Sequence, residues 1–203
     1  MMNIIYPILI SLTILSCNSN SIKPYTKTSF AMGTICTITL YEKKADFNIE
    51  KAFKIIYDIE NKMSRVIINS EISEVNANAG IKPTRVSEST FFVIKEGLKY
   101  GKLSNNKFDI TIGPLVNLWG IGTENQAVPN PDSINDVLPS VESENVKLND
   151  KDMSVLLENK GMSIDLGGIA KGYATDLLKD FLIKEGFTKG IINLGGNVLT
   201  FGS

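Results

Sequence analysis

The chain opens on an apolar run from Ile4 to Leu15, and residues 1–16 carry no charged side chain. That run falls short of the about 20 residues needed to cross a bilayer and matches the apolar core of a secretory signal. From Asn18 the chain turns polar through NSNSIKPYTKTS, which reads as a flexible tether reaching Thr28. Beyond it, β-branched residues on alternate positions predict a strand over Phe30 to Tyr41. Ile49, Ala52, Phe53, Ile56 and Met63 follow helical spacing and predict a helix from Asn48 to Met63, with Glu60 as a polar exception on the apolar face.

A second helix is expected behind the cap Ser87-Glu88-Ser89, where Phe91, Ile94 and Leu98 share a face. Asp109 to Val116 is a β-rich apolar run broken at Gly113-Pro114. Gly120 to Ser140, rich in Gly, Pro and Asn, reads as a loop with room for one helical turn. Val146–Leu148 and Ser154–Glu158 predict a hairpin, and Met162–Leu166 a strand entering Gly167-Gly168. A helix follows, with Ala170, Tyr173, Ala174, Leu177, Leu178, Phe181 and Leu182 on one face, ending near Gly186. Ile191–Leu194 is a last strand before the tight turn Gly195-Gly196. Strands and helices mix without strict alternation, which gives an α+β class with mixed sheets and packed helices.

Composition narrows the chemistry. Among 203 residues there is no histidine, so imidazole acid–base catalysis, serine or cysteine triads and His-ligated zinc are excluded. Lys plus Arg number 21 against 22 Asp plus Glu, a balance that argues against nucleic acid as a partner. The apolar run ends Ile14-Leu15-Ser16-Cys17, which resembles the bacterial lipoprotein box: Cys17 is then acylated, begins the mature chain and holds it at the membrane. An ordinary signal peptide or a short anchor is the alternative. Cys36 is the remaining thiol; it sits in the alternating run Thr34–Leu40 and reads as a small core residue.

The most informative stretch is Ile164-Asp165-Leu166-Gly167-Gly168-Ile169-Ala170-Lys171-Gly172-Tyr173. A strand, a Gly-Gly turn and a helix N-terminus aim backbone N–H groups at one place, which suits a phosphate, and Lys171 adds a mobile charge. Asp165 would repel a diphosphate unless a cation lies between them, and Mg²⁺ takes hard oxygen ligands of this kind. The bland alternative is a glycine-rich corner with Asp165 as a helix cap. A second stretch, Asn106 to Gly120, brings Phe108, Asp109 and Trp119 together, a set that could wall an adenine or flavin ring or simply form a buried strand and turn.

In order, Ala31-Met32-Gly33-Thr34, Met63-Ser64 with Ser70-Glu71-Ile72-Ser73 and Asn76, FDITIGPLVNLWG, IDLGGIAKGYATD and INLGGNV resemble the ApbE family of FAD:protein FMN transferases. The resemblance implies an ApbE-like domain over residues 29–203, after a signal peptide (1–16) and a tether (17–28). It implies Mg²⁺-dependent transfer of FMN from FAD to a Thr or Ser hydroxyl of a target flavoprotein subunit of a membrane redox complex, with release of AMP. It implies an inner-membrane lipoprotein facing the periplasm. By the same resemblance Met32 lies against FAD, Lys107, Phe108 and Asp109 contact its adenosine part, Asp165 contacts FAD, Gly168 offers a carbonyl to the metal, and Lys171 stands beside the phosphates as the catalytic side chain. Val66 occupies the position where many members carry a ring packed on the ligand. Some members without that ring resemble FAD pyrophosphatases, which gives a second expected reaction, FAD to FMN and AMP. The resemblance covers roughly the N-terminal three-fifths of the family domain; the later strands, which bring an Asp, a Thr or Ser and a histidine to the site, are expected to be missing. A non-catalytic flavin-binding lipoprotein, or a truncated remnant, is the third expectation.

Overall fold

A computed structural model of the chain describes residues 23–42 and 47–202. The apolar leader, Cys17 and the first half of the tether (17–22) lie outside the described residues. Two antiparallel strands open the fold, β1 (Tyr25–Ala31) and β2 (Thr34–Leu40). The expected single strand is thus a hairpin, and its first strand begins inside the stretch assigned to the tether. Met32 and Gly33 both have positive φ (50° and 68°), the signature of a two-residue turn whose twist matches the strands it joins. Tyr25, Lys27 and Ser29 pair with Leu40, Ile38 and Cys36, so the polar-looking tether end becomes an edge strand.

Helix α1 (Glu50–Met63) buries Ala52, Phe53, Ile56, Ile59 and Met63. A short helix α2 (Glu71–Ala77) follows, capped by the Ser70 hydroxyl, which accepts from the Ser73 N–H at 2.9 Å. After the two-residue strand β3 (Thr84–Arg85) comes α3 (Glu88–Leu103), which starts after Ser87 as expected, but the Ser87 hydroxyl donates to Glu71 Oε2 (2.8 Å) instead of capping the helix. The Asp109–Val116 run is not a strand. Asp109 Oδ1 accepts from both the N–H and the hydroxyl of Thr111 (2.7 Å each), which bends the chain, and Pro114 then opens helix α4 (Gly113–Leu118). The Gly120–Ser140 stretch holds helix α5 (Pro131–Val137), capped by Asn130.

The hairpin is formed by β4 (Val146–Asn149) and β5 (Ser154–Leu157). Helix α6 (Ala170–Lys184) and the closing pair β6 (Gly190–Leu194) and β7 (Asn197–Phe201) complete the fold. Two sheets result, β1-β2-β6-β7 and β3-β5-β4, and the strands within each sheet pair antiparallel rather than mixed. Cys36, Ile38, Leu40, Ile192 and Leu194 point inward, and α1 and α6 pack on one another and on that sheet. Cys36 is a core residue. Among the described residues no helix is long and apolar enough to cross a membrane.

Met162–Leu166 is extended but joins neither sheet. Ile112 and Ser163 form an isolated parallel bridge, and the Asp165 N–H donates to the Ile110 carbonyl at 2.8 Å. On the other side the Asn76 carboxamide behaves as a strand of one residue, accepting from the Ile164 N–H (2.7 Å) and donating to the Ile164 carbonyl (3.0 Å). Asn76→Ala would strip both partners from a fully buried residue. The expected loss is about 2–3 kcal/mol, read as a lower urea midpoint, from leaving a buried donor and acceptor unmatched.

Candidate functional site

The functional geometry gathers around the chain from Asp165 to Lys171. Asp165 ends the extended segment, Gly167 and Gly168 turn it, and α6 starts at Ala170 with no side chain capping its N-terminus. No side chain therefore competes for the positive end of the helix dipole, although the Ala170 N–H already donates to the Leu166 carbonyl at 2.8 Å. Lys171, in the first turn, donates from Nζ to the Gly167 carbonyl at 3.2 Å, a single exposed hydrogen bond that the ammonium can exchange for an anionic ligand.

Two cavities meet at this corner. One of about 350 Å³ is lined by Phe30, Met32, Glu60, Val66, Lys171 and Asp165, among others. The other, about 590 Å³, is lined by Lys107, Phe108, Asp109, Leu115, Glu142 and Gly168, among others. Asp165, Gly167 and Ile121 belong to both, so the two join as a trough across the corner. All eight of the sequence-derived positions within the described residues, Met32, Val66, Lys107, Phe108, Asp109, Asp165, Gly168 and Lys171, line this trough. Cys17 lies outside the described residues. Trp119 stands at the end of α4, half-buried, and lines neither cavity.

Each end has its own character. At the smaller cavity Met32 is held at positive φ at the hairpin tip, a strained position for a side chain, and Val66 is 66% exposed. Glu60, the polar exception on α1, faces this cavity instead of the core. At the larger cavity the Phe108 ring lies so close to Gly168 that a Cβ there would stand 2.8 Å from the ring carbon Cε2. Glycine at this position lets the ring and the corner share one wall.

Arg65 escaped the sequence reading. Its Nε lies 2.8 Å from Asp165 Oδ2, while Nη1 donates to Asn117 Oδ1 and Nη2 to the Ile121 carbonyl, each at 2.7 Å. Asp165 Oδ1 meanwhile accepts from the Gly167 N–H at 2.7 Å. The cation that the sequence reading asked for beside Asp165 is thus a guanidinium of the chain itself. The one signal that could have flagged Arg65 is a charge standing next to the apolar run Val66-Ile67-Ile68.

This pairing bears on the metal. Asp165 has both carboxylate oxygens engaged, and among the described residues no three His, Cys, Asp or Glu side chains gather to hold an ion. Backbone carbonyls at the glycine corner cannot alone satisfy Mg²⁺, which prefers one or two carboxylates. The described residues by themselves do not make a Mg²⁺ site.

The site is thus a two-ended trough that crosses the start of α6 on an α+β scaffold. The chain belongs to the ApbE family, whose profile matches residues 32–203. It is 33% identical over 178 residues to the FAD:protein FMN transferase of Klebsiella pneumoniae, covering 88% of this chain and 56% of that protein. Against the FAD:protein FMN transferase of Treponema pallidum it is 27% identical, over 92% of this chain and 54% of the relative. The crystal structure of the ApbE protein from Thermotoga maritima superposes with a TM-score of 0.81 at 30% identity, covering 88% of this chain and 59% of that one. The flavin transferase ApbE from Vibrio cholerae gives 0.79 at 25% identity, over 88% and 60%. The chain spans about half the length of the curated relatives it matches.

Cys36 stands apart from the trough. It is fully buried, and that burial is the largest influence on its thiol, pushing it above the ordinary value. In a Cys17→Ser background, iodoacetamide at pH 8 should label Cys36 about a hundredfold more slowly in the native protein than in urea, since the thiolate is the reacting form and the site is closed.

Proposed function

We propose that the trough binds FAD and that the protein acts as an FAD:protein FMN transferase, moving FMN to a Thr or Ser hydroxyl of a partner flavoprotein. The observation that carries this reading is the meeting of two cavities at the Asp165–Gly167 corner, where an uncapped helix start and Lys171 face a ligand's midpoint. A dinucleotide has the matching form: two ring systems joined by a diphosphate. The names of the relatives supply the particular ligand and reaction.

In this reading the adenosine half lies in the larger cavity beside Phe108, where Asp109 and Lys107 meet its polar edges. The flavin half lies between Met32, Phe30 and Val66. Lys171 releases the Gly167 carbonyl and turns its ammonium to the diphosphate, while the α6 N-terminus stabilises the charge that develops there. The acceptor hydroxyl oxygen attacks the FMN phosphorus, the P–O bond to the AMP phosphate breaks, and AMP leaves while the hydroxyl's proton passes to the leaving phosphate or to water. The resemblance adds Mg²⁺, whose remaining ligands would have to come from outside the described residues. In the same reading Cys17 is acylated, and the domain stands on the periplasmic face of the inner membrane within reach of a membrane-bound acceptor.

A second reading, FAD hydrolysis to FMN and AMP, draws on one feature: Val66, 66% exposed, brings no ring of its own to the flavin end and leaves that side open to water. Incubation with FAD separates the two, since free FMN and AMP mark hydrolysis and a flavinylated acceptor marks transfer. Isothermal titration of residues 18–203 with FAD tests the site itself. Lys171→Ala and Asp165→Ala should each weaken binding by about tenfold or more, the scale of a lost charge-assisted contact, while Cys36→Ser leaves it nearly unchanged. Equal losses in all three would mean general unfolding, and no binding by the unsubstituted protein would end the proposal.

A further inference from the structure

Arg65 is the charged side chain with the most fixed partners in the trough. It sits on the loop between α1 and α2, and each of its three guanidinium nitrogens has its own acceptor, on Asp165, Asn117 and Ile121. Those acceptors come from separate stretches of chain: the glycine corner, the end of α4 and the loop after it. The loop bearing Arg65 is itself tied down. The Ser64 hydroxyl accepts from the Val66 and Ile67 N–H groups (3.2 and 3.3 Å), and the Ser70 hydroxyl donates back to the Ser64 carbonyl.

The position of the fork matters as much as its bonds. Asp165 and Ile121 line both cavities, and Arg65 lines the smaller one, so the guanidinium lies where the two join. A ligand held in one cavity need not pass over it; a ligand that fills both must. With Arg65 in place the Asp165 carboxylate is neutralised and aimed. Without it, an unpaired carboxylate would face whatever anionic group crosses, with Glu60 nearby in the same cavity.

We propose that Arg65 is the positioning residue that makes the trough select ligands spanning both cavities over ligands that fill one. It does so by holding Asp165, Asn117 and the Ile121 carbonyl at the crossing, and it deepens the dinucleotide reading on which it rests. The guanidinium is the right group for this task, since lysine keeps the charge but cannot hold three acceptors in a plane.

The test is equilibrium binding of FAD, FMN and AMP to the full chain, unsubstituted and as R65Q, R65K and R65Q/D165N. R65Q should weaken FAD by about tenfold or more, in line with the loss of charge-assisted hydrogen bonds, and leave FMN and AMP within about threefold. R65K should fall between. The double substitution should bind FAD at least about threefold more tightly than R65Q, because it removes the stranded charge. A purely structural role would instead weaken all three ligands together and make the double substitution no better than the single, and either result overturns the proposal. So does an unchanged FAD affinity in R65Q. If the unsubstituted protein binds none of the three ligands, the dinucleotide reading itself falls, a result distinct from normal FAD binding that ignores Arg65.

Discussion

The stretch from Met162 to Leu166 is extended without belonging to a sheet, and the site depends on how it is held. Asn76, on α2, satisfies both backbone groups of Ile164, while Ile110 and Ile112 pair along the opposite edge. A buried backbone with no partner costs too much to persist, so these contacts decide where the segment runs. Asp165 emerges one residue past Ile164, and the glycine turn and α6 follow directly. Loosening the pairing would move the carboxylate, the turn and the helix start together.

Close approach does for the walls what Asn76 does for the corner. At Gly113 a Cβ would meet the Ser163 carbonyl oxygen at 2.6 Å, so glycine is what lets the start of α4 lie against the extended segment. The same approach lets the Ile110 carbonyl take the Asp165 N–H at 2.8 Å, with Phe108, Asp109 and Ile112 lining the larger cavity beside it. At Gly168 the same logic seats the Phe108 ring against the corner. Both contacts pass through residues that looked, as a sequence, like flexible breaks. They act instead as points where backbone packs on backbone or ring.

Much of this was legible along the chain, and the failures have physical causes. The face of α6, the face of α1 and the β4–β5 hairpin follow from periodicity, because each element buries one regular stripe. The glycine corner and the helix start bearing Lys171 were readable because a Gly-Gly turn ahead of an apolar helical stripe is a local signature. The β1–β2 hairpin was missed because its turn uses Met32, a residue with no preference for positive φ, and because the Thr-rich edge strand looks polar. The Asp109–Val116 run was misread because its β-branched residues outweighed two local signals, the Asp109 side-chain turn and Pro114 at a helix start. Arg65 was invisible for another reason: its partners lie 52, 56 and 100 positions away (65 to 117, 121 and 165), and no spacing rule reaches so far.

The charges of the trough explain why such local detail carries so much weight. Lining it are Arg65, Lys107 and Lys171 on one side of the ledger and Glu60, Asp109, Glu142 and Asp165 on the other. A site this nearly balanced exerts no strong long-range pull on a polyanion, and at physiological salt its field fades within about 8 Å. Attraction must then come from groups in contact: backbone N–H at the α6 start, the Lys171 ammonium, the packed ring of Phe108. Contact forces fall off over fractions of an ångström, so the placement of each donor matters more than the number of charges. A scaffold that fixes its corner with a carboxamide on one side and a three-pronged guanidinium on another meets that requirement by geometry.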